Sequence, residues 1–253
     1  MNAGRTARER ARAELTEEIK AAARRQLATE GAAGLSLRAI SRELGMVSSA
    51  LYRYFPSRDD LLTALIIDAY DALGEAAESA AVESGAPFTA DAAESGPSLT
   101  DDRTGAGSWD PLQTWIAVCS AVRAWARAHP QEYALIYGSP VVGYRAPQTT
   151  VAPAARVPIL MLRLLRQADE EGRLALPADA PEPNGVLAGQ TDVLVELAPG
   201  IHRRVLVRAV IAWTQLFGMV SFELFGQLVG SMDPADEFFA SATRQMAAFV
   251  GIK

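Results

Sequence analysis

Between Ser36 and Arg58 the chain gathers side chains suited to a polyanion: Ser36, Arg38, Ser48, Ser49, Tyr52, Arg53, Tyr54 and Arg58. Arginine presents a planar fork of donors to a guanine edge or a phosphate, and hydroxyls reach phosphate oxygens or base edges. Nucleophilic and metal chemistry have far less to work with. One cysteine, Cys119, excludes an intrachain disulfide and a cysteine-based zinc site, and two histidines, His129 and His202, leave little for ligation or proton transfer. The sequence holds no phosphate-cradling glycine loop, nucleophile elbow or metal-ligand cluster. No catalytic residue, metal or cofactor is therefore expected, and the chain reads as a non-enzyme.

The polar residues must be held by helices. Ser36 can cap a helix whose apolar stripe is Leu37, Ile40 and Leu44, and Gly45 can end it in the left-handed conformation that glycine adopts at little cost. Ser48 or Ser49 restarts a helix through Phe55, with Ala50, Leu51 and Phe55 turned back onto the first, and Pro56 stops it. Ser57 opens the next helix, with Asp59 and Asp60 at the positive end of its dipole. This is the pattern of a helix-turn-helix, whose second helix offers its N-terminal side chains to the major groove of duplex DNA.

From Ala39 to Leu62 the sequence resembles the TetR/AcrR family of bacterial transcriptional regulators. The residues that carry the resemblance are Gly45 at the turn, Leu51 and Tyr52, then Tyr54 and Phe55, then Arg58, Asp59, Leu61 and Leu62. Two positions depart from the pattern. Val47 stands where a capping serine is common, and Ser49-Ala50 replaces a frequent Gly-Thr pair, which leaves the helix start open by one residue. Farther on, the segment Trp125–Pro147 resembles the regulatory half of one branch of the family, named for a Trp, a His and a Gly, here Trp125, His129 and Gly138.

Charge is divided along the chain. Residues 1–58 hold 11 Lys+Arg against 6 Asp+Glu, a balance of +5, while the remainder holds 13 against 24, a balance of −11. A net charge of −6 is thus compatible with nucleic-acid binding, because what matters is where positive charge is displayed. With 253 residues, 49% hydrophobic content and a mean hydropathy of +0.07, the chain can bury a sizeable core. No apolar run approaches a membrane span and the N-terminus is charged, so a cytoplasmic protein without membrane attachment is expected.

Taken in order, residues 1–12 read as a frayed basic tail, or alternatively as an arm reaching phosphates or the minor groove. Leu15, Ile19, Ala22, Ala23 and Leu27 predict a helix over 13–30, ended by Gly31. A long helix from Asp59 to about Glu83 begins in the head and ends in the body. Residues 84–108 read as a mobile loop, with a lid over a ligand as the alternative. Helices follow over Pro111–Ala128, up to Tyr137, over Ala154–Gly172, over His202–Val229 and over Pro234–Val250, whereas Leu174–Pro199 reads as loop with short helical pieces. The helix after His202 is apolar almost all round and needs a second partner for its outer side.

These observations predict an all-α protein: a three-helix DNA-binding domain over 1–58, then a larger helical ligand-binding and dimerisation domain over 59–253. The expected function is that of a ligand-responsive repressor. It binds a palindromic double-stranded operator as a homodimer and is released by a largely apolar or aromatic small molecule; the resemblance implies pairing through the last two helices. Ser48, Ser49 and Arg53 are assigned to base edges, and Ser36, Arg38, Tyr52, Tyr54 and Arg58 to phosphates. Trp115, Trp125, Tyr133, Tyr137, Trp213 and Phe217 are assigned to the effector. The competing reading is a helical small-molecule carrier or sensor without operator binding.

Overall fold

The computed structural model describes residues 3–87, 109–176 and 178–253, with side chains from residue 7 onward. Most of the predicted loop at 84–108 lies outside the described residues. Ten α-helices stand in the described chain: α1 (Ala3–Gly34), α2 (Leu37–Glu43), α3 (Ser48–Leu51), α4 (Arg58–Glu83), α5 (Pro111–Ala128), α6 (Pro130–Tyr137), α7 (Val151–Glu170), α8 (Gly185–Leu197), α9 (Arg203–Leu224) and α10 (Asp236–Val250). The protein is all-α. Among the described residues the only β feature is one antiparallel bridge, Leu174 to Ile252.

Contacts divide the chain into two compact units, Met1–Asp71 with His129–Ala154, and Ala72–Ala128 with Ala155–Lys253. In the first unit, the head, α1, α2, α3 and the start of α4 converge on Ile19, Ala23, Ile40, Leu51, Leu61 and Leu62, each at most 1% exposed. The head therefore extends beyond residue 58, where the sequence placed its boundary, because Leu61, Leu62 and Leu65 of α4 complete its core. It also takes in the segment 129–154, whose Leu135, Ile136, Val141 and Tyr144 pack on that core. Arg24 fixes α6 there, bridging Asp68 of α4 at 2.6 Å and Glu132 of α6 at 3.0 Å. Lys20 joins the same cluster through Asp68 and Glu17. Burial alone would lower the pKa of this lysine, but its bonds to the two carboxylates hold it above the usual range.

α1 starts ten residues earlier than predicted, so residues 3–12 are helix rather than tail. The stretch lacks apolar side chains, which removes the packing signal. It is rich in Ala and Arg, and their intrinsic helix preference remains. Gly31, at φ 67°, interrupts the helix where the sequence ended it.

In the second unit, the body, α5 lies against α9 and α10. The indole N–H of Trp115 donates to the Thr243 carbonyl at 3.1 Å. Arg123 forks onto Glu223 at 2.6 and 2.7 Å and reaches Asp236 at 2.8 Å. Arg156 pairs with both oxygens of Glu78, and a side chain on Gly74 would strike its guanidinium. Cys119 is fully buried, and burial pushes its thiol pKa well above the ordinary value. Gly185–Leu197 is one helix of 13 residues where a loop with at most short helical pieces was predicted.

One helix departs from the expectation that no run approaches a membrane span. α9 is long and apolar enough by length and composition, yet only 44% of its most apolar window is buried. Its outward residues Ile211 and Phe222 remain exposed, as does Phe225 at its C-cap.

Candidate nucleic-acid interface

The turn between α2 and α3 is built by its glycine. Gly45 sits at φ 64°, and the N–H of Met46 donates to Ser41 C=O at 2.8 Å while that of Gly45 donates to Arg42 C=O at 3.2 Å. This double closure satisfies the last carbonyls of α2 and reverses the chain. Val47 then occupies the N-cap of α3 with no side-chain cap, as the departure from the family pattern implied, and helical hydrogen bonding begins at Ser48. α3 is only four residues long; Tyr52–Tyr54 continue as tight turns in place of the predicted helix through Phe55. Leu51, fully buried, and Phe55, nearly so, anchor this segment and turn its other face outward.

An uncapped start costs stability. Val47→Ser supplies an acceptor for the free N–H groups of α3, and because Val47 is 71% exposed, little packing is lost. Denaturant titration should show the variant more stable by about 0.5–1 kcal/mol; an unchanged midpoint would mean that solvent already satisfies those groups.

The predicted DNA-contacting residues separate once their partners are known. Arg38, Ser49, Tyr52 and Arg53 are exposed, and neither arginine forms an ion pair with a described residue. Ser48 is exposed but shares a hydrogen bond of 3.1 Å with Ser41. Tyr54 is half-buried under the Arg12 guanidinium, 5.4 Å from its ring centre. Ser36 is committed to structure: its Oγ accepts from Ala39 N–H, and its own N–H donates to Gln26 Oε1. Arg58 is turned inward. It donates to the carbonyls of Ala32 at 2.7 Å and Leu35 at 3.1 Å, closing the end of α1 rather than facing solvent with free donors. Local spacing cannot reveal such a bond, since its acceptors lie over twenty residues away.

The aromatic residues assigned to an effector are likewise dispersed. Tyr133 and Tyr137 belong to the head, where Tyr137 stacks against Tyr133 at 5.2 Å and edge-on against Tyr70 at 6.0 Å. Burial raises the Tyr137 phenol pKa above its usual range. Trp115 and Trp125 are body core, 1% and 8% exposed. Phe217 is buried too, edge-on to Trp213 at 6.2 Å. Trp213 alone of the six lines the apolar cleft of about 110 Å³ formed by Pro158, Met161 and Leu162 of α7, Leu194 of α8 and Ala209 and Val210 of α9. Its indole N–H is buried without a hydrogen-bond partner. Of the Trp, His and Gly that named the branch, Gly138 has a direct steric reason: a Cβ there would lie 2.3 Å from the Ala134 carbonyl oxygen.

A short outward-facing helix, set on a buried three-helix core by a glycine turn and flanked by arginines that pair with no described carboxylate, defines a helix-turn-helix DNA-binding head joined to a helical body. Residues 19–65 match the bacterial regulatory proteins of the tetR family, and residues 115–246 match the tetracyclin repressor-like C-terminal domain. The HTH-type transcriptional regulators Rv1816 of Mycobacterium tuberculosis and Mb1846 of Mycobacterium bovis are each 39% identical over 242 residues, covering 94% of this chain and 93% of theirs. Among solved structures, the regulatory protein SCO4313 superposes with a TM-score of 0.70 at 33% identity, over 95% of this chain and 98% of that one. A TetR family transcription regulator from Shewanella sp. PV-4 shares the fold at a TM-score of 0.54 and 18% identity, over 92% and 95%. The chain belongs to the TetR family: it is a transcriptional regulator with a helix-turn-helix DNA-binding domain, not an enzyme.

Proposed function

We propose that the protein is a cytoplasmic repressor that binds a palindromic operator as a homodimer and lets go when a small apolar effector enters the body. The observation that carries this reading is the outward display of Ser49, Tyr52 and Arg53 on a segment anchored from behind by Leu51 and Phe55. Arg53 and Ser49 reach base edges; Arg38 and Tyr52 hold phosphates. Val47, exposed ahead of α3, adds an apolar contact suited to a thymine methyl.

The partner copy covers α9. Ile211 and Phe222 are at least 48% exposed on a helix too apolar to face water, Phe225 at its C-cap is 45% exposed, and Val186 and Val193 of α8 extend exposed apolar surface. α10, by contrast, turns Glu237, Ser241, Arg244 and Gln245 outward, which suits a polar rim better than a centre. The pairing expected through the last two helices thus becomes one centred on α9. Twofold pairing places two heads on one duplex.

The effector enters the cleft at Trp213. At about 110 Å³ it is smaller than the roughly 300–1,000 Å³ of drug-sized sites, so it takes a compact apolar group whose acceptor meets the free indole N–H. The effector lowers operator affinity by no more than its preference for the released form.

The test is Phe222→Glu, which places a carboxylate at the proposed centre of pairing on a side chain 56% exposed in the single chain. Light scattering should give the mass of two chains for the parent and one for the variant, with unchanged helical content. The variant should also lose at least tenfold in affinity for duplexes that the parent selects from a random pool, since linked half-sites no longer reinforce each other. A monomeric parent, or a parent that selects no duplex, would remove the proposal.

A further inference from the structure

The unpredicted N-terminal extension of α1 creates a surface that the helix-turn-helix alone does not have. Along one face of α1, Leu15 meets the head core, and one and two turns earlier the same stripe carries Arg12 and Arg8. Past the end of the core, this face does not carry apolar residues as it would if it packed on protein. It stands opposite the end of the recognition segment, and the two enclose a groove of about 710 Å³ lined by Arg8, Glu9, Arg12, Leu15, Arg53 and Tyr54. Three guanidiniums and one carboxylate leave the groove with a charge of +2. None of the three arginines forms an ion pair with a described residue, although Glu9 lines the same space. Arg12 is held over the Tyr54 ring, which orders its side chain without using its donors.

Like charges are brought together at a cost unless a counter-charge joins them. The groove opens beside Arg53, the residue assigned to base edges, so a duplex seated on α3 brings its own phosphates to this side. We infer that Arg8 and Arg12 bind the DNA backbone, clasping a phosphate in the groove between α1 and the Arg53–Tyr54 turn, and that the first three turns of α1 form a rigid helical arm extending the footprint of each head. The inference rests on the DNA-binding reading of the head. It assigns these contacts to affinity and register, not to sequence choice, because phosphates carry no base identity.

The experiment measures the salt dependence of binding for the full-length protein, using one duplex that the parent itself selects from a random pool. Each neutralised phosphate contributes about 0.9 to the slope of log affinity against log salt. With two arginines in each of two heads, Arg8→Ala with Arg12→Ala should flatten the slope by about 2 to 4, depending on whether the pair shares a phosphate. The sequence preference should stay as it was. Arg8→Lys with Arg12→Lys, which keeps the charge, should restore the parent slope. Arg53→Ala is the control for the underlying reading and should weaken binding to that duplex. A parent that binds no duplex overturns the DNA reading and this inference with it. Binding that depends on Arg53 while the double alanine variant keeps the parent slope, or a loss that lysine does not restore, overturns the arm alone.

Discussion

Arg53→Ala is expected to abolish operator recognition while leaving the fold intact. The side chain is exposed and pairs with no described carboxylate, so its removal costs the monomer little, whereas a good fork onto a base edge contributes about 1–3 kcal/mol. With two heads on one duplex, as proposed, the loss is counted twice, about 2–6 kcal/mol, or roughly 30-fold to 20,000-fold in affinity. Fluorescence anisotropy on the duplex selected by the parent reads the loss directly, and circular dichroism melting should superpose on the parent. Arg58→Ala would behave differently. Its guanidinium holds the carbonyls of Ala32 and Leu35, so that variant should lose stability along with binding. A parallel melt of the two variants separates a residue that reads DNA from one that shapes the head.

The second large effect divides the aromatic residues. Trp115→Ala removes a side chain 1% exposed together with its indole bond to the Thr243 carbonyl, and should destabilise by about 3–5 kcal/mol. Trp213→Ala takes away a half-buried side chain whose N–H has no partner, and should cost clearly less stability. It should instead abolish quenching of intrinsic fluorescence by compact apolar ligands that carry one carbonyl. Equal destabilisation by the two substitutions would make Trp213 a core residue and take the effector out of that cleft.

Much of the head was legible because its signals are local. Gly45 marks a turn that needs a positive φ, Ser57 caps α4 through Asp60, and the stripe Leu37, Ile40, Leu44 follows the helical period. Even Val47 announced itself as a missing cap. What escaped depends on partners distant in sequence. Arg58 has the type and place of a phosphate ligand until its acceptors on the other side of α2 are seen. α6 carries no mark that Arg24, more than a hundred residues earlier, will tie it to the head. α8 was lost for another reason: glycines at 185 and 189 and β-branched residues weaken its intrinsic preference, and apolar residues all round it give no clear stripe. The N-terminal arm inverts that case, since propensity built a helix where packing offered no hint.

The account depends on two heads of one dimer meeting a single duplex through the face of Ser49, Tyr52 and Arg53. Selection from a random duplex pool by the full-length protein, followed by sequencing and by the mass of the resulting complex, tests this most directly. The account predicts an inverted repeat, its half-sites spaced by about one helical turn or a multiple of it and occupied by two chains or a whole-number multiple of two. Enrichment of no sequence at all, or of a single asymmetric site holding one chain, would contradict it.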